Sequence, residues 1–123
     1  MITFKELNPR GYATTEDVDA NLELLHAAIN KVRAAYGKPM VVTSGLRTVE
    51  HQMRVNPKAP QSKHILGLAV DIADPDGKLW AWCKKNVPVL EEAGLYMEDG
   101  RYTKGWCHFQ VTPPKSGKRF FIP

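Results

Sequence analysis

The chain has 123 residues, 43% of them hydrophobic, which is enough to bury a core and makes residues 1–123 one expected domain. With 17 Lys and Arg against 13 Asp and Glu, a formal charge of +4 favours anionic surroundings, whether nucleic acid, acidic lipid or a bacterial wall rich in carboxylates and phosphates. Two cysteines exclude a disulfide scaffold, and no apolar run approaches the length that crosses a bilayer.

Met1-Ile2-Thr3-Phe4-Lys5-Glu6-Leu7 lacks the apolar core of a secretion signal, so the expectation is a protein made in soluble form, with Cys83 and Cys107 reduced and packed as small apolar residues. Thr14-Thr15-Glu16-Asp17 offers hydroxyls for capping and acids that complement a helix dipole. Val18, Leu22, Leu25, Ile29 and Val32 then recur at helical spacing, which predicts a scaffold helix ending near Tyr36-Gly37. Met40-Val41-Val42-Thr43 reads as a short strand leading into Ser44-Gly45 and Arg47. Thr48 caps a brief helix through Met53, and the breaker-rich Asn56–Gln61 predicts a loop that delivers Ser62 and His64 at its exit.

Six residues separate His64 from Asp71, too many for adjacent helical turns but enough for a loop, a reversal at Gly67 and a short strand. Leu68-Ala69-Val70-Asp71-Ile72 is a buried-strand pattern whose one carboxylate requires a partner. Asp74-Pro75-Asp76-Gly77 reads as a turn. A helix follows from Lys78 past Trp80 and Cys83, then a shorter one from Pro88 through Glu92, stopped by Gly94. Leu95-Tyr96-Met97-Glu98 and Trp106–Val111 form a predicted hairpin. Alternation in its second strand sets Trp106, His108 and Gln110 on one face and Cys107 on the other. Pro113–Arg119 reads as a solvated loop before a final short apolar segment. His64, Asp71 and His108 together offer the nitrogen and oxygen donors of a zinc site with one position left open.

Ser62-x-His64-x-x-Gly67-x-Ala69-x-Asp71 followed by Trp106-x-His108 resembles the zinc D-Ala-D-Ala metallopeptidases, the group of VanX-type dipeptidases and phage endolysin peptidases, whose fold the hedgehog signalling domain shares. Ser44-Gly45-Leu46-Arg47 is similar to a Ser-Gly-x-Arg element of that group, so the likeness runs from about Val41 to Gln110. It implies an α+β fold, with a small antiparallel sheet carrying the site and helices packed on its outer face. It implies Zn²⁺ held by His64, Asp71 and His108, with Arg47 facing substrate oxygen. The implied activity is hydrolysis of peptidoglycan stem peptides, as an endopeptidase or a D,D-carboxypeptidase.

Many members of the group carry an acidic general base three residues before the last histidine, where this chain has Gly105. If the hairpin turns about Thr103, Glu98 lies opposite His108 and can take that role; a register shifted by one residue offers Asp99 instead. Arg47 would stabilise the negative charge of the attacked carbonyl or hold a substrate carboxylate, and Ser62 would orient the ligand loop rather than act as nucleophile.

Each residue also has an ordinary reading. His64 or His108 alone would be a satisfied core histidine, Arg47 half of a surface ion pair and Glu98 a solvated hairpin charge; the joint pattern favours chemistry. His26 and His51 read as structural or solvated. Trp106 reads as core or site wall. Two other functions are weighed: a non-catalytic wall-binding or virion component that keeps its metal site, which Gly105 permits, and a basic nucleic-acid module. No nucleic-acid motif accompanies the three tryptophans and four tyrosines that could stack on bases. The expectation is a monomer with neither nucleic-acid nor membrane partners, acting on the wall after release from the cell that makes it or as part of a virion.

Overall fold

The computed structural model describes residues 1–58 and 62–123, so the end of the expected Asn56–Gln61 loop lies outside the described residues. The chain opens with a one-turn helix, α1 (Phe4–Leu7), which had no counterpart in the sequence reading. Thr3 caps it through the Glu6 amide, and the Glu6 carboxylate returns to the Thr3 amide, so two otherwise unpaired amides are satisfied reciprocally. Helix α2 (Glu16–Tyr36) starts at Thr15, whose hydroxyl accepts from the Val18 amide, and stops at Gly37 in the left-handed region. Its apolar stripe is buried as expected through Leu22, Leu25, Ile29 and Val32.

Strand β1 (Val42–Ser44) and helix α3 (Val49–Val55, capped by Thr48) precede the ligand loop. Strand β2 (Ala69–Asp74) extends two residues beyond the apolar run. Asp74 ends it because both of its carboxylate oxygens accept from α4 amides, those of Leu79 and Trp80, each at 2.9 Å. Helices α4 (Lys78–Lys85) and α5 (Val87–Ala93) follow, then strand β3 (Tyr96–Glu98), a 3₁₀ turn at Gly100–Tyr102, strand β4 (Gly105–Gln110) and strand β5 (Phe120–Phe121).

The five strands form one sheet in the order β1-β2-β4-β3-β5. The α+β class agrees with the expectation, but the sheet is mixed rather than antiparallel: β5 runs parallel to β3, pairing Met97 with Phe120 and Glu98 with Phe121. The expected solvated loop is mostly exposed through Lys118, and the apolar segment after it forms β5. Arg119 donates to the Leu95 carbonyl at 2.9 Å and its guanidinium stacks on the Tyr96 ring, which seats the closing strand against the hairpin.

Period-two alternation divides β2 and β4 into two faces. Val70, Ile72, Cys107 and Phe109 join Leu25, Ile29 and Leu90 of the helices in one buried cluster. Asp71 and His108 occupy the alternate positions. Cys83 and Cys107 are free and buried in that core, and burial pushes the Cys83 thiol up to about 12. Among the described residues, no helix is long and apolar enough to cross a membrane.

Candidate metal centre

Register alone brings two of the three candidate ligands together. Asp71 of β2 and His108 of β4 are direct cross-strand partners. His64 arrives from the loop before β2, where Gly67 turns the chain at φ 72° as the spacing required. The backbone of that loop is tied to the motif preceding α3, the Arg47 amide donating to the His64 carbonyl at 3.2 Å.

All three side chains are buried, and one nitrogen of each ring meets the same oxygen. Asp71 Oδ1 lies 3.2 Å from His64 Nε2 and 3.0 Å from His108 Nδ1. The opposite nitrogens are committed to groups that only accept. His64 Nδ1 is 3.0 Å from the Gly45 carbonyl, and His108 Nε2 is 2.8 Å from Gln110 Oε1. Each neutral imidazole must therefore carry its proton on the outer nitrogen, leaving three lone pairs directed at one point. Such a donor set suits a divalent cation: the ligand atoms lie within 4.8 Å of one another, and both ring orientations are fixed by a second hydrogen bond.

Electrostatics divide the cluster. Burial, the largest influence on Asp71, opposes its charge, but its contacts with His108 and His64 outweigh it and bring its carboxyl down to about 2. Burial also dominates His64 and lowers its pKa, with help from the charges of His108 and Arg47. For His108 burial is outweighed by the hydrogen bond and charge of Asp71, by Glu98 and by Gln110, so its pKa is raised. In the absence of a metal, the extra proton of this cluster belongs on His108.

Arg47 stands behind the carboxylate. Its Nη2 donates to Asp71 Oδ2 at 3.3 Å, its Nε to Ser44 at 2.9 Å and its Nη1 to Gln52 at 2.8 Å. This ion pair is buried rather than superficial, which excludes the ordinary surface reading. Burial lowers the Arg47 pKa, against the charges of Asp71 and Glu98. An open cleft of about 570 Å³ lies over the cluster, with Arg47, Glu98, Tyr102, Trp106 and His108 in its walls.

The family model of peptidase M15 matches residues 1–105. The chain belongs to this peptidase family. The matched stretch contains His64 and Asp71 and ends before His108, so the third donor of the cluster comes from the sheet register rather than from that match. Comparison with solved structures finds the L-Ala D-Glu endopeptidase ChiX of Serratia marcescens at a TM-score of 0.51 and 23% identity, covering 91% of this chain and 99% of that one. At this identity the likeness concerns the fold. Comparison with curated proteins returned no match.

Within the M15 framework the hairpin register matters most. Tyr96 pairs with Gln110 and Met97 with Phe109; one further step along that register sets Glu98 level with His108, in the arrangement expected for a turn about Thr103. Glu98 lines the cleft, and burial raises its pKa despite the opposing charges of His108 and Arg47. Asp99 is occupied elsewhere. It caps the 3₁₀ turn and holds Arg101 through both carboxylate oxygens. Gly105 adopts φ 89°, a conformation that strains any side chain bearing a Cβ, so the position expected to be acidic is unsuited to one here. Ser62 accepts from the His64 amide at 3.2 Å, the orienting contact anticipated for it.

Sequence reasoning assigned no part to two buried carboxamides. Gln110 accepts from His108 and donates to the Thr112 carbonyl at 2.7 Å; Gln52 accepts from Arg47 and donates to the Asn56 carbonyl at 3.4 Å. In both residues the bond from the amide nitrogen fixes which end of the carboxamide faces the site. The shared face of Trp106, His108 and Gln110 was a usable signal for Gln110. Gln52 had none, because its partner becomes its neighbour only after α3 folds back beside Arg47.

Proposed function

We propose that the chain is a zinc peptidase that hydrolyses peptide bonds in peptidoglycan stem peptides. The observation that carries this reading is the convergence of His64 Nε2, Asp71 Oδ1 and His108 Nδ1, each with a lone pair free for a cation, at the floor of a cleft in an M15 family member. Zinc, when bound, would supply a Lewis acid and lower the pKa of water near neutrality.

The remaining chemistry belongs to the chain. Glu98, ionised and partly desolvated beside the cluster, accepts the proton of the attacking water and returns it to the leaving amine; its raised pKa makes it a better base than an exposed carboxylate. Arg47 stabilises negative charge as it develops on the attacked carbonyl oxygen or holds a substrate carboxylate, and its rigid fork to Ser44, Gln52 and Asp71 limits reorganisation during the reaction. The fold shared with an L-Ala D-Glu endopeptidase favours endopeptidase action over removal of a terminal D-Ala. A single chain supplies every residue in this scheme, consistent with a monomer acting on the wall after release from the cell or as part of a virion.

Incubating purified peptidoglycan with the protein, followed by mass analysis of the released muropeptides, tests the reaction and identifies the bond. The expected result is a defined cleavage that chelation abolishes and zinc restores. Stoichiometric metal binding without any cut bond would replace the enzyme with a wall-binding or virion component.

A further inference from the structure

A second cavity, of about 260 Å³, adjoins the cleft and shares Thr43, Arg47 and Val55 with it, so the two spaces meet along one wall. We propose that this cavity is an anion subsite, built by Arg10 and His51, that takes a carboxylate of the substrate peptide close to the scissile bond. The proposal rests on the peptidase reading and adds a determinant of substrate choice to it.

Charge is the first argument. Arg10 and Arg47 both line the cavity, and none of its lining residues among those described is acidic. The guanidinium of Arg47 is already engaged by Ser44, Gln52 and Asp71. Arg10, by contrast, makes no ion pair among the described residues, so its charge is available to a ligand. Arg10 is itself exposed, so solvent screens its attraction for an anion, and it acts together with Arg47 and the absence of acidic neighbours among the described residues to leave the cavity net positive.

Orientation is the second argument. His51 sits at the cavity with its Nδ1 3.1 Å from the Tyr12 hydroxyl, a contact linking α3 to the segment after Arg10. Burial, followed by the charges of Arg10, Arg47 and Arg54, keeps His51 neutral to lower pH than usual. A phenolic hydroxyl can donate or accept, and in the tautomer where it donates to Nδ1 the neutral ring carries its proton on Nε2, the donor this subsite requires. One guanidinium and one ring N–H form a donor pair suited to the two oxygens of a carboxylate. Stem peptides carry such a group where glutamate is linked through its side chain and its α-carboxylate is left free; in some walls that position is a carboxamide. A subsite with these donors distinguishes the two forms, since a carboxamide brings no charge and turns its own N–H groups toward donors.

The test uses the zinc-loaded full chain and two synthetic stem peptides, L-Ala–γ-D-Glu–L-Lys with a free α-carboxylate on glutamate and the same peptide with that group as a carboxamide. The wild-type protein should cleave the acid with kcat/KM about tenfold or more above the amide, mainly through KM. Arg10→Met should reduce that preference to within about twofold, chiefly by lowering kcat/KM for the acid, and Arg10→Lys should restore part of it. Calorimetric binding of both peptides to zinc-loaded Glu98→Gln supplies a readout independent of turnover. Cleavage without discrimination, or discrimination that survives Arg10→Met, overturns the subsite and leaves the peptidase reading in place. Absence of cleavage with acid-selective, Arg10-dependent binding upholds the subsite and removes the peptidase reading; absence of both cleavage and selective binding removes the two together.

Discussion

The carbonyl oxygen of Gly45 accepts the Nδ1 proton of His64 at 3.0 Å, while its Cα packs directly against the backbone of Leu7. The same approach lets the Leu46 amide donate to the Leu7 carbonyl at 2.7 Å. A Cβ at position 45 would collide with that carbonyl, so this glycine couples the first helix to a ligand of the candidate centre. Gly45→Ala is therefore expected to destabilise the fold by about 1–3 kcal/mol through overpacking. It should also weaken zinc binding as the 45–47 segment shifts away from His64. Thermal unfolding with and without zinc checks both effects. A variant with normal stability and normal affinity would show that α1 yields without disturbing the site.

Sequence patterning made the frame legible because its signals are local. Thr15 and Gly37 bound α2, the apolar run to Ile72 marks β2, and alternation in β4 separates His108 from Cys107. The convergence of the cluster was legible through motif spacing. Partnerships formed between distant segments were not. Phe120–Phe121 reads as a short apolar segment, but nothing in it announces a parallel place beside β3, and the Thr3–Glu6 capping box is too short to predict a helix until Gly45 provides a backbone for Leu7 to rest on. The placement of Glu98 level with His108 was legible because it depends on one integer, the register of the β3–β4 hairpin.

Gln110 is expected to be a positioning residue for His108. Its carboxamide oxygen holds Nε2–H, and the Thr112 carbonyl prevents the amide from turning over. Gln110→Met, of similar length but lacking that acceptor, should lower zinc affinity about 10- to 100-fold, the range found when such supporting partners are lost. Gln110→Glu keeps the acceptor and should retain most of the affinity. Competition with a chromophoric chelator measures this without reference to activity. Equal affinities for the Met and Glu variants would assign Gln110 to packing alone.

Glu98→Gln removes the proposed base while preserving the shape of the side chain. Turnover of peptidoglycan should fall about 100-fold or more, the usual scale of a general base, with zinc stoichiometry unchanged. The corresponding Asp99→Asn variant should keep nearly full activity, since Asp99 serves the 3₁₀ turn and Arg101. An unimpaired Glu98→Gln would exclude Glu98 from proton transfer.

Proton and metal compete for His108, which fixes the sign of a pH effect. Its pKa is raised above the ordinary 6.5, so in the metal-free protein the protonated ring bonded to Asp71 contributes stability below that value, and the contribution disappears as pH rises through the raised pKa. Asp71, held down at about 2 against an ordinary 3.8, behaves in the opposite sense: its contribution is present above the ordinary value and is lost as pH falls toward 2. Zinc needs the unprotonated ring and the ionised carboxylate together. Its affinity should therefore climb with pH by about tenfold per unit while one proton is displaced, then level off once His108 is neutral. The increase in melting temperature caused by a fixed zinc concentration should accordingly be larger at pH 8 than at pH 6, following the logarithmic dependence on ligand saturation. Calorimetric titration in two buffers of different ionisation enthalpy should detect release of a proton at pH 6 and a smaller release at pH 8. Zinc binding with no proton release at either pH would mean that His108 does not face the ion through its Nδ1 lone pair.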